Sequence, residues 1–323
     1  MKFLVSGLSG LLLVLFVASS APAQVSPESA EKYVEGQDLF KKRRYQEALG
    51  LFEEAIKLDG KNAQAYRAVG LTYKKLRNYP KAMESLQMAV TIKPDYASAY
   101  YDLGQIQYQA LEKYEDAQSS FKQVLEINPA FEDGRAREYL KAACVKQGRI
   151  HYRQKNYRKA AGEYEDACQL DPSDALSFYN LGLAHRKARN YKEAVESLTT
   201  AIDLNPHYGK ALRALGDLYR DTKKNSLAIR TYRKAIESEL ENVTAYRSLS
   251  IVYLRSKQPD KAIQILRRAA KVAPKDSKVQ SALGYAQMQK KDFKSAIKSY
   301  KLSLSLNGNN PQAHYRLADA YLE

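Results

Sequence analysis

The stretch ALSFYNLGLAHRKARNYKEAVESLTTAIDLNPHY, residues 175–208, contains two helical patterns joined by a short turn. In its first half, packing side chains recur at the spacing i, i+3, i+4, i+7 of one helix face: Phe178, Leu181, Gly182 and His185. In its second half a similar stripe follows i, i+4, i+7: Ala194, Leu198 and Ala201. Pro206 ends the second helix, because proline inside a helix removes a hydrogen bond and clashes with the preceding turn. The stretch is therefore predicted to be a helical hairpin.

This hairpin recurs along the chain with a period of 34 residues. One series of small residues has gaps of 34 apart from a single gap of 44: Gly36, Gly70, Gly104, Gly148, Gly182, Gly216, Ser250, Gly284 and Ala318. A second series has gaps of 34 or 35 apart from one of 43: Ala48, Ala82, Ala117, Ala160, Ala194, Ala228, Ala262 and Ala296. Small residues at fixed places let two antiparallel helices approach closely. A repeat array is predicted, in which stacked hairpins share one continuous core.

The arrangement of two helices in each 34-residue repeat resembles that of the tetratricopeptide repeat family. The resemblance implies an all-α superhelical solenoid of about eight helix–turn–helix repeats, whose first helices line a concave groove. The predicted repeats, numbered 1 to 8, are 29–62, 63–96, 97–131, 141–174, 175–208, 209–242, 243–276 and 277–310. Residues 24–28 form a short linker, residues 132–140 an insert that extends a helix, and residues 311–323 a terminal half-repeat or capping helix.

The first 23 residues differ from the rest of the chain. Lys2 is the only charged residue before Glu28, an almost wholly apolar run follows it, and small residues stand at Ala21 and Ala23. This pattern predicts a secretory signal peptide cleaved after Ala23. The alternative is an uncleaved N-terminal anchor, since the apolar run is just long enough to span a bilayer. Both readings predict an extracytoplasmic protein, either periplasmic or secreted.

Charge is distributed unevenly over the remainder of the chain. Residues 24–131 contain 15 basic and 15 acidic side chains, whereas residues 132–323 contain 36 basic and 21 acidic ones. The positive excess therefore lies entirely in the C-terminal part. An apolar share of 45% argues against disorder, and two cysteines cannot form a disulfide framework for 323 residues.

No motif for catalysis, a cofactor or a metal is present. The chain contains no phosphate-binding glycine loop, no H-E-x-x-H, no C-x-x-C and no G-x-S-x-G. His151 and His185 occupy the same place in successive repeats, within the packed stripe, and are predicted to be core-edge residues rather than ligands. A non-enzyme without cofactor is expected.

Cys144 and Cys168 both fall in repeat 4, near the start of its first helix and the end of its second. These two helix ends are neighbours in an antiparallel hairpin, so a disulfide is possible in an oxidising compartment. The alternative is a pair of buried free thiols.

A basic stripe lies beside the core stripe on the first helices of repeats 4 to 7. The predicted partner-binding residues are Arg149, Tyr152, Arg153, Tyr179, Arg186, Lys187, Arg213, Arg220, Arg247 and Arg255. Guanidinium groups suit carboxylates, sulfates and phosphates, and the tyrosines would add apolar contact. Some members of the family hold a C-terminal carboxylate with a set of Lys and Asn residues; Asn180 and Lys210 match that set, but Val145, Arg149 and Ala214 do not.

These patterns predict a non-catalytic scaffold of the cell envelope that binds an acidic, extended segment of a partner protein. The alternative is direct binding of an anionic glycan or of the anionic headgroups of a membrane surface. That ligand could use the groove or a lysine stripe of repeat 8: Lys291, Lys294, Lys298 and Lys301. Nucleic acid is not expected as a partner, since the signal peptide predicts a location outside the cytoplasm.

Overall fold

A computed structural model describes residues 25–323, so the predicted leader at residues 1–23 lies outside the described residues. The described part forms two compact bodies, called here the N-terminal body, which ends at Ile106, and the C-terminal body, which begins at Gln107. Within residues 25–323 the secondary structure consists of α-helices and one 3-10 helix, with no strand. The predicted all-α fold is confirmed.

The helices alternate regularly along the sequence. The N-terminal body contains α1 (Pro27–Lys41), α2 (Tyr45–Leu58), α3 (Ala63–Lys75), α4 (Tyr79–Ile92) and most of α5 (Ala97–Gln109). The C-terminal body continues with α6 (Tyr114–Ile127), a 3-10 helix (Phe131–Gly134), α7 (Arg135–Arg153), α8 (Tyr157–Leu170), α9 (Ala175–Ala188), α10 (Tyr191–Leu204), α11 (Gly209–Asp221), α12 (Asn225–Ser238), α13 (Val243–Arg255), α14 (Pro259–Val272), α15 (Ser277–Gln289), α16 (Phe293–Leu306) and α17 (Pro311–Leu322).

Each odd-numbered helix from α7 to α15 packs against the next helix as a hairpin, and that second helix packs against the first helix of the following hairpin. Successive first helices α9, α11, α13, α15 and α17 also contact one another. The exposed sides of these first helices, together with that of α7, are called here the inner face of the C-terminal body. The second helices α8, α10, α12, α14 and α16, together with α6, form its outer face.

The small residues of the first helices lie against a large side chain sixteen residues later. A Cβ atom at Gly182 would lie 2.6 Å from Leu198, and one at Gly216 would lie 2.7 Å from the ring of Tyr232. Carbon atoms pack at about 3.5–4 Å, so a side chain at these glycines would clash. The same relation holds in other hairpins: Gly36 with Phe52, Gly70 with Leu86, Gly148 with Tyr164, and Gly284 with Tyr300.

The turns inside the hairpins share one backbone conformation. Two residues before each second helix stands a non-glycine residue with φ between 53° and 66°: Arg43, Arg77, Glu112, Lys155, Arg189, Lys223, Lys257 and Lys291. At Lys155 the backbone N–H donates to the carbonyl of Tyr152, and the next N–H donates to that of His151. This Schellman arrangement satisfies the last carbonyls of the first helix. A cation there also interacts favourably with the negative end of the helix dipole.

The break in the 34-residue period lies between α6 and α8. Helix α7 has 19 residues and includes residues 135–140 of the predicted insert. The 3-10 helix before it contains Glu132 and Asp133 in left-handed conformations, and Phe131 is buried. The extra residues therefore lengthen a first helix without adding a hairpin.

Among residues 25–323, no helix combines the length and the apolar character needed to cross a membrane.

Gly216→Ala is expected to lower the free energy of unfolding by about 1–3 kcal/mol, because overpacking forces a fixed neighbour to move. That neighbour is Tyr232, which is fully buried and donates a 2.6 Å hydrogen bond from Oη to Asp217. Chemical denaturation followed by circular dichroism measures the change.

The matched control is Gly162→Ala on α8, where a Cβ atom would meet nothing within 4 Å. Alanine is the better helix former, so this variant should gain about 0.5–1 kcal/mol. Equal effects at both positions would contradict a packing role for Gly216.

Candidate interaction surface on the inner face

The structure places the ten predicted partner-binding residues on four first helices of the C-terminal body. Helix α7 contains Arg149, Tyr152 and Arg153; α9 contains Tyr179, Arg186 and Lys187; α11 contains Arg213 and Arg220; α13 contains Arg247 and Arg255. Their environments divide them into three groups, which are an ion-pair cluster, a set of cations without such partners, and two packed tyrosines.

The ion-pair cluster has two aspartates of α11 at its centre. Asp217 is buried and lies 3.1 Å from Arg213, 3.2 Å from Arg220 and 3.8 Å from Arg186. The buried hydroxyl of Tyr232 donates to the same carboxylate, and Ser248 does so at 3.4 Å. The carboxylate thus links α9, α11, α12 and α13.

Asp221 completes the cluster at its more exposed edge. Its carboxylate lies 2.5 Å from Arg186 and 3.0 Å from Arg220. Burial would raise the pKa of Asp221, but hydrogen bonds from the two guanidinium groups outweigh it and lower that pKa below its ordinary value. A carboxyl with a lowered folded-state pKa stabilises the fold above its unfolded-state pKa, about 3.9 for aspartate. The stabilisation is lost as the pH falls below that value.

Three arginines therefore share two carboxylates, and the cluster has a net charge of only +1. Arg186, Arg213 and Arg220, which the sequence pattern predicts to bind a partner, are paired in the structure with Asp217 and Asp221. The two aspartates were visible in the same stripe, but their pairing depends on the helix-to-helix contacts.

Five of the predicted cations form no salt bridge with any residue in the range 25–323: Arg149, Arg153, Lys187, Arg247 and Arg255. Arg149, Arg153 and Lys187 lie on the N-terminal side of the cluster, on α7 and α9. Arg247 and Arg255 lie on its C-terminal side, on α13. The Nε atom of Arg247 is buried and lacks a hydrogen-bond partner within the described chain.

The two predicted tyrosines are half-buried and pack against other aromatic rings. The ring centroids of Tyr152 and Tyr157 are 5.2 Å apart, as are those of Tyr179 and Tyr208. Burial is the main cause of the raised pKa of Tyr152 and of Tyr179. Both residues contribute to the core as well as to the inner face.

The first helices of the N-terminal body present a different surface. Arg67 is paired with buried Asp102 at 2.6 Å, and Lys74 donates to Gln105 at 2.7 Å. A cavity of about 180 Å³ beside Arg67 is lined mainly by apolar side chains, among them Phe40 and Leu71. This volume is smaller than that of a typical small-molecule site, about 300–1,000 Å³.

Cys144 and Cys168 are both buried and are not bonded to each other in the structure. Cys168 packs with Tyr164 and Leu181, toward α9, whereas the thiol of Cys144 is influenced by the carboxylates of Glu163 and Asp166. The two side chains thus have different neighbours although their helices pair. Burial, reinforced by nearby carboxylates, raises the pKa of each thiol to about 12.

His151 and His185 are half-buried, and the Nδ1 atom of each is buried without a hydrogen-bond partner in the described chain. Across residues 25–323, no group of three or more His, Cys, Asp or Glu side chains is arranged to hold a metal ion.

Comparison with known proteins agrees with this architecture. Residues 33–97, 145–209, 179–238, 213–278 and 247–311 match one sequence profile described as tetratricopeptide repeat, and residues 97–131 match a second. These matches cover more than half of the chain, so the chain belongs to the tetratricopeptide repeat family. Proteins of this family are generally non-catalytic scaffolds for protein–protein interaction.

Individual relatives are distant. The chain is 29% identical over 135 residues to Anaphase-promoting complex subunit 3 of Schizosaccharomyces pombe, which covers 42% of this chain and 19% of that protein. It is 33% identical over 150 residues to a DnaJ homolog subfamily C member 7 homolog of Dictyostelium discoideum, covering 43% and 26% respectively. The chain therefore spans about a fifth to a quarter of these curated relatives. Among solved structures, the TPR domain of P58(IPK) matches at 16% identity and a TM-score of 0.35, over 91% of this chain and 97% of that one.

Asp217→Asn is expected to lower the free energy of unfolding by about 1–3 kcal/mol, because it leaves three arginines with one carboxylate. The amide keeps the shape of the side chain, so the change isolates the charge. Asp203→Asn on α10 is the control, since Asp203 is exposed and should change stability by less than about 0.5 kcal/mol. Matching midpoints of denaturation for the two variants would show that the cluster does not stabilise the fold.

Alkylation distinguishes two free thiols from a disulfide between Cys144 and Cys168. We expect intact mass to show two added alkyl groups after unfolding without reductant, and little modification of the folded protein at pH 8, since a thiol of pKa about 12 is almost wholly protonated there. No added group after unfolding would instead mean that a disulfide joins Cys144 to Cys168.

Proposed function

We propose that this chain is a non-catalytic scaffold that binds an acidic, extended segment of a partner protein on the inner face of its C-terminal body. The observation that carries the proposal is the set of five cations without salt-bridge partners: Arg149, Arg153, Lys187, Arg247 and Arg255. Membership of the tetratricopeptide repeat family supports a role in protein binding.

The paired cluster divides the cations into two sites of attraction. Asp217 and Asp221 neutralise most of the positive charge on α11, so an acidic segment would be attracted chiefly to its two sides. Arg149 and Arg153 on α7, with Lys187 on α9, provide the first site, and α13 provides the second. At the second site, the guanidinium groups of Arg247 and Arg255 would donate to the carboxylates of the segment.

The apolar part of the contact falls to Tyr152 and Tyr179. Their rings are fixed by packing against Tyr157 and Tyr208, so a ligand that touches them would lose little further side-chain entropy. The proposed location of the scaffold is the periplasm or the outside of the cell. This location depends only on the predicted leader.

Arg149→Glu combined with Arg153→Glu is expected to weaken binding of a twelve-residue peptide of alternating Glu and Ser by about tenfold, because both substitutions reverse a charge at the first site. Fluorescence anisotropy of the labelled peptide at low salt measures the affinity. An alternating Gln and Ser peptide serves as the uncharged probe and should not bind.

Arg267→Glu combined with Arg268→Glu is the control, because it makes the same change in net charge on the outer face. It should change the peptide affinity by less than about twofold. If both double variants weaken the peptide equally, net charge rather than the inner face attracts it, and the proposal is wrong.

Asp217→Asn is a second test, in which the peptide affinity is expected to rise rather than fall. Removing a carboxylate from the cluster raises the positive charge beside the peptide, so affinity should rise while stability falls. A parallel loss of both would mean that the cluster itself, rather than the flanking cations, holds the acidic peptide.

A second candidate function is direct binding of an anionic glycan or of anionic lipid headgroups. A specific observation favours it: most of the exposed cations in the last three hairpins lie on the outer face, away from the inner-face site.

A further inference from the structure

The outer face of the C-terminal body changes charge halfway along. Helices α6, α8 and α10 together contain nine acidic and four basic side chains, whereas α12, α14 and α16 contain two acidic and ten basic ones. The fold does not require this change, because the buried small residues and glycine contacts are the same in both halves. The charge is therefore a property of the surface that solvent or a ligand meets.

The same helix positions show the change one repeat at a time. At one exposed position, residues 34 apart are Glu165, Thr199, Arg233, Arg267 and Lys301. At the next position they are Asp166, Thr200, Lys234, Arg268 and Leu302. Since equivalent positions recur with the repeat, three successive outer helices present cations at a regular spacing.

Two recessed cavities lie on either side of α14. The first, about 340 Å³, lies between α12 and α14 and is lined by Arg233, Lys261 and Arg268 above the apolar side chains of Ile236 and Ile265. The second, about 350 Å³, is lined by Arg267, Arg268 and Lys271 together with residues at the turn before α16. Gln264 and Arg268 line both cavities, so α14 is the ridge between them.

The cations of these cavities have few acidic partners in the described chain. In the second cavity, Asp260 is paired with Lys290 at 2.6 Å, and Asp292 accepts from the backbone N–H of Ser295 as the cap of α16. The first cavity contains one carboxylate, Glu237, against the three cations Arg233, Lys261 and Arg268. There Arg233 donates to the hydroxyl of Tyr253 at 2.8 Å. The guanidinium of Arg268 lies 5.8 Å from the centre of the Tyr246 ring. Both arginines are thus positioned by aromatic residues and keep their charge available.

We infer that the outer face of α12, α14 and α16 is a binding track for an acidic polysaccharide, with α14 and its two cavities at the centre. The inference rests on the second candidate function and does not depend on the inner-face site. Cations that repeat at equivalent positions match a polymer with repeated anionic groups. The apolar floor formed by Ile236 and Ile265 suits the C–H face of a sugar ring, and the arginines at the rim suit its carboxylate or sulfate.

Other polyanions fit less well. The cations surround recessed cavities, whereas a bilayer is flat. The rings of Tyr232, Tyr246 and Tyr300 beneath the track are fully buried, and the exposed ring of Tyr321 lies only at its end, 5.4 Å from Lys301. The described part of the track therefore does not present the series of exposed rings on which successive nucleic-acid bases stack. A folded acidic protein would present carboxylates without the regular spacing of the repeat.

The test measures binding of polygalacturonate and of heparin to the chain without its predicted leader, by isothermal titration at several salt concentrations. We expect the logarithm of the binding constant to fall linearly with the logarithm of the salt concentration. Arg267→Glu with Arg268→Glu should weaken binding by at least about tenfold and reduce the salt slope. Arg149→Glu with Arg153→Glu, which changes net charge equally, should have less than about a twofold effect.

Thr199→Arg extends the track by one repeat and should raise affinity about twofold to fivefold, since Thr199 is exposed at the position equivalent to Arg233. An unchanged affinity in Thr199→Arg, or equal losses in the two double-Glu variants, would overturn the track. So would binding to phosphatidylglycerol vesicles or polyglutamate that equals or exceeds binding to the polysaccharides. These results do not bear on the inner-face proposal, which is tested separately by binding of the acidic peptide.

Discussion

The contact between a small residue on each first helix and a large side chain sixteen positions later sets the geometry of the hairpin. Where Gly182 meets Leu198, the two backbones are so close that no room remains for a Cβ atom. That approach fixes which faces of the two helices are buried, and it leaves the far side of each helix exposed. The inner and outer faces exist as separate surfaces because this contact orients the helices of each hairpin that contains it in the same way.

On the inner face, a count of charged residues does not show where the free positive charge lies. The basic stripe of four first helices contains eight cations and two aspartates by sequence. In the structure the two aspartates lie among Arg186, Arg213 and Arg220, so the centre of the stripe is nearly neutral. The attraction for an acidic ligand then comes from residues on the two sides of that centre.

Much of the fold could be predicted from the sequence, because the signal is repeated. Most repeats have the same spacing, so a departure such as the gap of 44 residues between Gly104 and Gly148 does not disturb the assignment. The capped ends of the first helices were harder to foresee. A glycine is the usual residue at the left-handed position, but this chain uses lysine or arginine at seven of the eight described hairpin turns. The site was the least predictable part, since the pairing of Arg186 with Asp221 joins residues 35 apart on neighbouring helices.

The glycine contact also has a consequence for how the protein loses its structure. Both partners of the contact belong to one hairpin, and each hairpin of the C-terminal body packs mainly against its immediate neighbours. In such a one-dimensional array, stability is a sum of local terms and nearest-neighbour couplings. The buried carboxylate of Asp217 adds a coupling across several helices, since it contacts residues of three successive first helices and one second helix. Unfolding of the C-terminal body would therefore start at its ends and reach the hairpins around Asp217 last, so those hairpins would stay folded while the terminal ones open and close.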